Sequence, residues 1–459
     1  MSTVLAGLTV LVAASMSIAQ EPMRTARFGT PVASPQLEVT LAPADAKPAG
    51  MRITLEEAKQ KALANNKLLN LASLNAEAKA YAIKAARADY FPKISATSMY
   101  LHFSDELGTV LSTQGRTLNG PLGRPLITFP SATVNAAVVN QDSWITNIGT
   151  VQPITDLLKV RQGVKIAQAD QQIALAQLQK GMREVSSGVQ QLYWGLLYAR
   201  RLESGAADGV RGAELFVEQT KKLEARIALV EARQGLRQIQ KQVVEVQQQL
   251  NGLMDLPPDT MLELVEPARP VLPYRSAEEV ISLALSVSPE MQEAHQTVLK
   301  IEAAVAAGKL DYVPSVAVVG GYANQSVASY VQPSFGYVGV MANYTFVDWG
   351  KRKSVLRERQ TMTSMARLKL AQTEDEVRQK VSKAFRDLAE SQEEFTLAQE
   401  MVKVRVEAEK QATAPGAKGD PAVMVAAIKT RALAEVDAVK ADLSYRQAYI
   451  QLMGLVSRE

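Results

Sequence analysis

The 459-residue chain has no cysteine and only two histidines, His102 and His295. The first absence excludes disulfides, thiol nucleophiles, cysteine-held zinc and a lipid anchor on an N-terminal cysteine. The second leaves too few imidazoles for a histidine-rich metal site. Aromatic residues make up only 5%, little for a compact core built around large rings. Neither charge sign dominates: 51 Lys+Arg against 47 Asp+Glu gives +4, too balanced for the basic footprint of a nucleic-acid binder. At 47% hydrophobic and 21% charged residues, the chain is no disordered tail protein. A mean hydropathy of −0.06 excludes a polytopic helical membrane protein. There is no phosphate loop and no nucleophile constellation, and these exclusions together weigh against an enzyme.

One strongly apolar run is present, Val4 to Ala19. It is short for a transmembrane helix, which needs about 20 apolar residues. It ends in Ser17-Ile18-Ala19, a small-x-small site, so residues 1–19 read as a secretory signal peptide, although Met1-Ser2-Thr3 carries no basic residue. Residues 20–51 follow as a flexible linker; five prolines and no period mark this stretch.

The rest of the chain is a duplication. A shift of 222 residues lays Glu56-Glu57 on Glu278-Glu279, Asp89-Tyr90 on Asp311-Tyr312, and Pro92 on Pro314. A shift of 192 lays Asp156 on Asp348, Lys159 on Lys351, Val189 on Val381 and Leu196 on Leu388. A shift of 202 lays Leu250, Gly252 and Leu253 on Leu452, Gly454 and Leu455. The first copy spans 52–254, a connecting linker 255–275, and the second copy 276–456; the two build one structural domain.

Both copies share a local grammar. Thr54-x-x-Glu57 and Ser276-x-x-Glu279 are capping boxes that open Ala/Leu-rich helices. Each helix stops at Tyr-x-Pro (Tyr90 to Pro92, Tyr312 to Pro314), because the residue before proline disfavours the helical region. Strand-like stretches follow: Lys93 to Phe103 and Trp144 to Ile154, then Ser315 to Asn324 and Phe335 to Phe346. In the last, Val338, Val340, Ala342, Tyr344 and Phe346 alternate with Gly339, Met341, Asn343 and Thr345, a period of two with one apolar face. Asp156 and Asp348 stand at N-cap positions before long helical regions, about 157–220 and 349–413. Val185, Val189, Leu192 and Leu196 recur at coiled-coil spacing, as do Val377, Val381, Ala384 and Leu388. At ~1.5 Å per residue each rod is roughly 96 Å long, and neither can bury its seam alone. The change of shift gives copy one 30 extra residues between its strands, within about 101–143, where Gly108, Gly115, Gly120, Pro121, Gly123, Pro125 and Pro130 give a loop composition.

Four strands of about ten residues match the 9–11 that cross a bilayer as tilted strands. Four alone leave two raw edges, which lipid does not tolerate, so the chain must oligomerise through its strands. A barrel continued by rods is a conduit.

The ordered pattern of T/S-x-x-E helix, Tyr-x-Pro, strand pair, Asp-x-x-Lys, long helix and terminal Leu-x-Gly-Leu resembles the TolC-like outer-membrane efflux proteins. Phe346 to Lys351 is the closest single stretch, Ile154 to Lys159 a weaker copy, and the resemblance covers about 52–456. It implies a mainly α fold with a small β part: a homotrimer whose transmembrane β-barrel continues into an α-helical barrel in the periplasm. Each long helix would lie beside two shorter ones stacked end to end, 54–90 with 223–254 and 276–312 with 422–456. It implies an outer-membrane exit duct of a tripartite efflux system for small molecules, partnered by a periplasmic adaptor, an inner-membrane pump and outer-membrane lipid, with no nucleic acid and no cofactor. The alternatives are the outer-membrane component of type I protein secretion, or a periplasmic coiled-coil adaptor or scaffold. Matching Gly416-Ala417-Lys418 to the family's Gly-x-basic tip places Lys418 and Asp420 at the periplasmic entrance. It also puts Ala422 and Val425 where some members carry aspartates. Glu56-Glu57 and Glu278-Glu279 are read as helix caps, not paired catalytic carboxylates. The basic run Lys351-Arg352-Lys353, with Arg357 and Arg359, is read as a solvated helix face or an adaptor contact.

Overall fold

A computed structural model describes residues 50–104, 107–119, 125–220, 223–268, 273–328, 331–412 and 421–456. The expected signal peptide, all but the end of the first linker, and the tip residues Lys418 and Asp420 lie outside the described residues.

In the first half, β1 (Met51–Ile53) leads into α1 (Leu55–Asn65) and α2 (Lys67–Ala88). Strands β2 (Lys93–His102), β3 (Leu107–Thr113), β4 (Arg116–Asn119), β5 (Pro125–Phe129), β6 (Ala132–Val139) and β7 (Asp142–Pro153) follow, then α3 (Leu157–Thr220) and α4 (Leu223–Leu253). The second half holds β8 (Leu262–Leu264), α5 (Ala277–Val287), α6 (Pro289–Lys309), β9 (Ser315–Gln325), β10 (Ser334–Asn343), α7 (Lys351–Ala412) and α8 (Pro421–Val456). Thr54 forms the full reciprocal capping box with Glu57. Ser276 caps α5 through the Glu279 N–H only, because the Glu279 carboxylate accepts from the Arg275 N–H instead.

Four strands make one antiparallel sheet in the order β10-β9-β7-β2, and β7 against β9 joins the two halves. The helices form a layer four wide. Near the sheet, α2 packs on α3, α3 on α6, and α6 on α7; farther away α4 packs on α3, α3 on α8, and α8 on α7. The 64-residue α3 and the 62-residue α7 thus run the whole length, and at ~1.5 Å per residue each is roughly 95 Å long. The two helical seams are real cores. Val377, Val381, Ala384 and Leu388 are buried with Val280, Tyr445 and Leu452, while Val189 and Leu196 are buried with Ile53, Tyr193 and Leu250.

Three features depart from expectation. The helices expected to run unbroken to Tyr-x-Pro are each split, at Asn66 and at Ser288. Asn66 caps the N–H groups of Leu68 and Leu69, and Ser288 caps Met291 with Pro289 at the first helical position. The breaks let α1 and α5 turn out of the long layer. The connecting stretch holds β8, which pairs in parallel with β1 and closes a small belt around mid-height. The insertion in the first half is not a plain loop: β3–β6 and β4–β5 are antiparallel ladders, since Thr109-Val110-Leu111 and Thr133-Val134 are strand formers between the glycines and prolines.

Candidate functional site

The sheet has two unpaired edges, β2 and β10, and one strongly apolar face. The register places Ile94 beside Thr150, Gly320 and Val338, and Ala96 beside Ile148, Tyr322 and Gly336, on that face. Val338 and Val340 are 84% and 72% exposed. Along these two rows the face carries no Lys, Arg, Asp or Glu, as a lipid-facing surface requires. Tyr100 and Trp144 pack together at its outer end, ring centroids 6.0 Å apart; Tyr344 and Phe346 meet edge-to-face at its helical end. Strands of 10 to 12 residues between two aromatic levels have the dimensions of a bilayer-crossing wall. Among the described residues no helix is long and apolar enough to cross a membrane.

The opposite face is relieved by glycine. Tyr337, Gly321 and Gly149 share one row, and the Tyr337 side chain reaches over both glycines, its Cζ and hydroxyl at Gly321 and its hydroxyl at Gly149. A Cβ on Gly321 would meet its ring at 2.9 Å, and the Tyr337 hydroxyl donates to Asn147 Oδ1 at 3.1 Å. Sequence reading missed this arrangement. The available signal was glycine inside a strand, which marks a close approach.

Sheet and rods meet at a polar joint. Asp348 Oδ1 accepts from the Gly350 N–H at 3.1 Å, and Oδ2 accepts from the Arg352 N–H at 3.1 Å and from Arg352 Nε at 2.6 Å. The Arg352 guanidinium, then its backbone N–H, hold the Asp348 carboxyl below the usual carboxylate range, and the salt link raises Arg352 in turn. Trp349 and Gly350 both have positive φ, 54° and 83°, so the chain makes a tight turn here before α7, closed by the Lys351 N–H on the Asp348 carbonyl at 3.0 Å. Asp348 therefore caps as expected. Asp156 stands at the N-cap of α3 as expected, its carbonyl accepting from the Val160 N–H at 2.9 Å, but its carboxylate Oδ2 accepts from the Ser315 hydroxyl at 2.7 Å, which binds the two halves together. Of the basic run, Arg352 and Arg359 donate to the carbonyls of Asp311 and Ala304. Arg352 and Arg359 of the run thus serve the seam between α6 and α7.

At mid-height a cleft of about 520 Å³ opens between α3, α6, α7 and α8, where the start of α6 faces the end of α8. Lys180, Arg183, Lys380 and Lys383 line it with Glu184, Glu290 and Asp387. Burial works to raise the Glu290 pKa, but the Ser288 hydroxyl, its own N–H, Lys180 and Lys380 together hold it below the ordinary value. The charges nearly balance, so the cleft is a polar wall. His102 stands at the outer end of β2, its Nδ1 2.8 Å from Asp142 Oδ1. Among the described residues no group of three or more His, Asp or Glu is placed to hold a metal.

The model of the outer membrane efflux protein family matches residues 58–254 and 280–458. No curated protein matches the chain by sequence. Among solved structures, the outer-membrane channel OprN aligns at 16% identity and TM-score 0.71, over 88% of this chain and 90% of that one. VceC of Vibrio cholerae aligns at 13% and 0.71, over 88% and 97%. The open state of MtrE from Neisseria gonorrhoeae aligns at 16% and 0.68, over 88% and 90%. These likenesses establish the fold. The family match spans most of the chain and both halves: the chain belongs to the outer membrane efflux protein family, the outer-membrane exit ducts of tripartite efflux systems.

Proposed function

We propose that the mature chain, beginning after residue 19, sits in the outer membrane as a homotrimer. There it passes small molecules outward from a periplasmic adaptor and an inner-membrane pump. One observation carries the trimer: a four-stranded sheet with both edges unpaired and an apolar outer face. Two copies would supply eight strands, whose closed interior is filled by side chains. Three supply twelve, with a backbone radius of ~12 Å for strands ~4.8 Å apart and tilted by ~40°. The layer of four helices continues each sheet, so three copies also carry the tube inward. In sequence Lys418 and Asp420 fall between α7 and α8, and we assign them to the entrance, where an adaptor would engage and the duct would narrow.

The test is the mass of the protein extracted from outer membranes in mild detergent. One species near three times the mass of the processed chain is expected. A folded monomer, or a protein released from the periplasm without detergent, would refute the shared barrel.

A further inference from the structure

Two further ladders extend β2 and β7 beyond the sheet into one long hairpin arm, and the arm is jointed. At the first joint β2 ends at His102 and β3 begins at Leu107, while β6 ends at Val139 and β7 begins at Asp142. The register slips between Leu107 and Gly108. Here the Asn140 N–H donates to the Val327 carbonyl at 2.8 Å, which ties the root of the arm to the β9–β10 turn. At the second joint, between β3–β6 and β4–β5, a Cβ on Gly115 would stand 2.9 Å from the Phe129 carbonyl oxygen. Backbones therefore approach there as closely as glycine permits. Such irregularities bend a strand pair and re-aim what lies beyond it.

The outer ladder has two unlike faces. Arg116 pairs with Phe129 and Leu118 with Ile127, while Thr117 pairs with Thr128 on the opposite side. Leu118, Ile127 and Phe129 are each more than half exposed. A two-stranded ribbon is marginal in water, and one whose face is apolar beyond Arg116 at its root needs a cover.

We infer that the cover is the same face on the other copies: three arms fold over the external mouth of the duct and pack Leu118, Ile127 and Phe129 together as a cap. This rests on the trimeric reading above. Two observations select a second copy of this chain as the occupant. The arm continues β2, the open edge strand that the trimer joins to its neighbour, so the arm rises directly at the seam between copies. The reach also suffices: β3 and β4 contribute seven and four residues, roughly 36 Å at ~3.3 Å each, against a barrel radius of ~12 Å. Arms rooted on that circle and bent at two joints meet on its axis.

The absence of native cysteine makes the test direct, because a single introduced cysteine can pair only with another chain. Leu118→Cys and Ile127→Cys, oxidised mildly in intact cells, are expected to give disulfide-linked chain pairs. Thr117→Cys and Thr128→Cys, on the other face, are expected to give at least tenfold less. The native mass of each variant is measured in parallel. Equal linking on both faces, or none on either, in a protein whose mass is still three chains overturns the cap and leaves the trimer standing. A single-chain mass for the unmodified protein overturns the trimer, and the cap with it.

Discussion

Replacing Tyr193 by Phe removes one oxygen atom and should loosen the mid-height belt while leaving the rods intact. Tyr193 is fully buried on α3. Its hydroxyl lies 2.6 Å from the Val265 carbonyl and 3.0 Å from the Ile53 carbonyl, the ends of the β1–β8 pair. That pair is three residues long, far too short to hold itself. The ring also packs among Ile53, Ala58, Ala62 and Leu250, and Phe preserves this packing. The Ile53 carbonyl keeps the Val265 N–H as a partner at 3.3 Å, so the variant loses essentially one hydrogen bond. The part-buried Val265 carbonyl is deprived of its donor, at a cost of about 1–2 kcal/mol. Spent on local opening, that raises amide exchange of Met51 to Ile53 and Leu262 to Val265 by ~5- to 30-fold.

Hydrogen exchange followed by mass spectrometry reads this directly. Unchanged exchange at β1 and β8, or acceleration spread evenly along α3, would refute the reasoning. The pH dependence supplies a second arm. Burial pushes the Tyr193 phenol above its ordinary value of 10.0, so the folded state prefers the protonated form. Its contribution is complete below the unfolded pKa and fades as the pH rises past 10 toward the folded one. The wild-type belt should lose protection in that alkaline window, and Tyr193→Phe should lack that particular loss.

Gly321→Ala forces a methyl to within 2.6 Å of the Ile148 carbonyl oxygen, and overpacking of this kind costs about 1–3 kcal/mol. The thermal transition in detergent should fall, and adding Tyr337→Ala should restore only part of it, since the backbone oxygen cannot swing away. Asp348 has a depressed folded pKa, so its contribution is present above the unfolded value of 3.8 and lost as the pH falls through the folded one. Trp349 fluorescence, in a chain whose other two tryptophans are replaced by phenylalanine, should show an acid transition below pH ~4 that Asp348→Asn lacks. Thr117→Cys on the arm and Glu224→Cys at the start of α4 lie at opposite ends of a rod of roughly 95 Å. A bulky impermeant maleimide should label the first in intact cells, and the second only after the outer membrane is permeabilised. The reverse order would overturn the topology.

What was legible in the sequence follows from periodicity. The two rods were placed within two residues of their observed ends, because a seam repeated at coiled-coil spacing admits no other element over 60 residues. The four wall strands were placed nearly as well, bounded by Tyr-x-Pro on one side and the capping aspartates on the other. Two kinds of feature were hidden. The breaks at Asn66 and Ser288 interrupt Ala/Leu-rich runs whose composition favours helix throughout. They exist because α1 and α5 turn to bury Ala58 and Ala62 against the Val189–Leu196 seam of α3, and Val280 and Ala284 against the Val377–Leu388 seam of α7, a tertiary gain that local propensity does not report. The Tyr337–Gly321–Gly149 row and the Asp156–Ser315 bond depend on strand register across a separation of more than 150 residues. No local pattern encodes that register.

The junction within the chain also bears on how the proposed barrel closes. Where the two halves meet, polar groups lock the boundary between strands and rods. The Val316 N–H donates to Thr155 Oγ1 at 2.8 Å, Ser315 to Asp156 at 2.7 Å, and Lys159 Nζ lies 3.2 Å from Asp311. Asp156, Lys159 and Asp311 have identical matches in the other half, Asp348, Lys351 and Asp89, yet the two aspartates ahead of the rods act differently: Asp156 reaches across to the second half, whereas Asp348 turns inward to its own helix. The internal seam is thereby sealed at its polar level. Beyond it, β2 and β10 are the two edges of the sheet among the described residues, and antiparallel alternation runs without a break from β10 through β9 and β7 to β2. An even number of strands means that β2 of one copy meets β10 of the next in antiparallel sense, the same relation that β7 has to β9 inside the chain. In the proposed trimer each added copy would extend the same wall with the same alternation, and the tilt of the strands would close it.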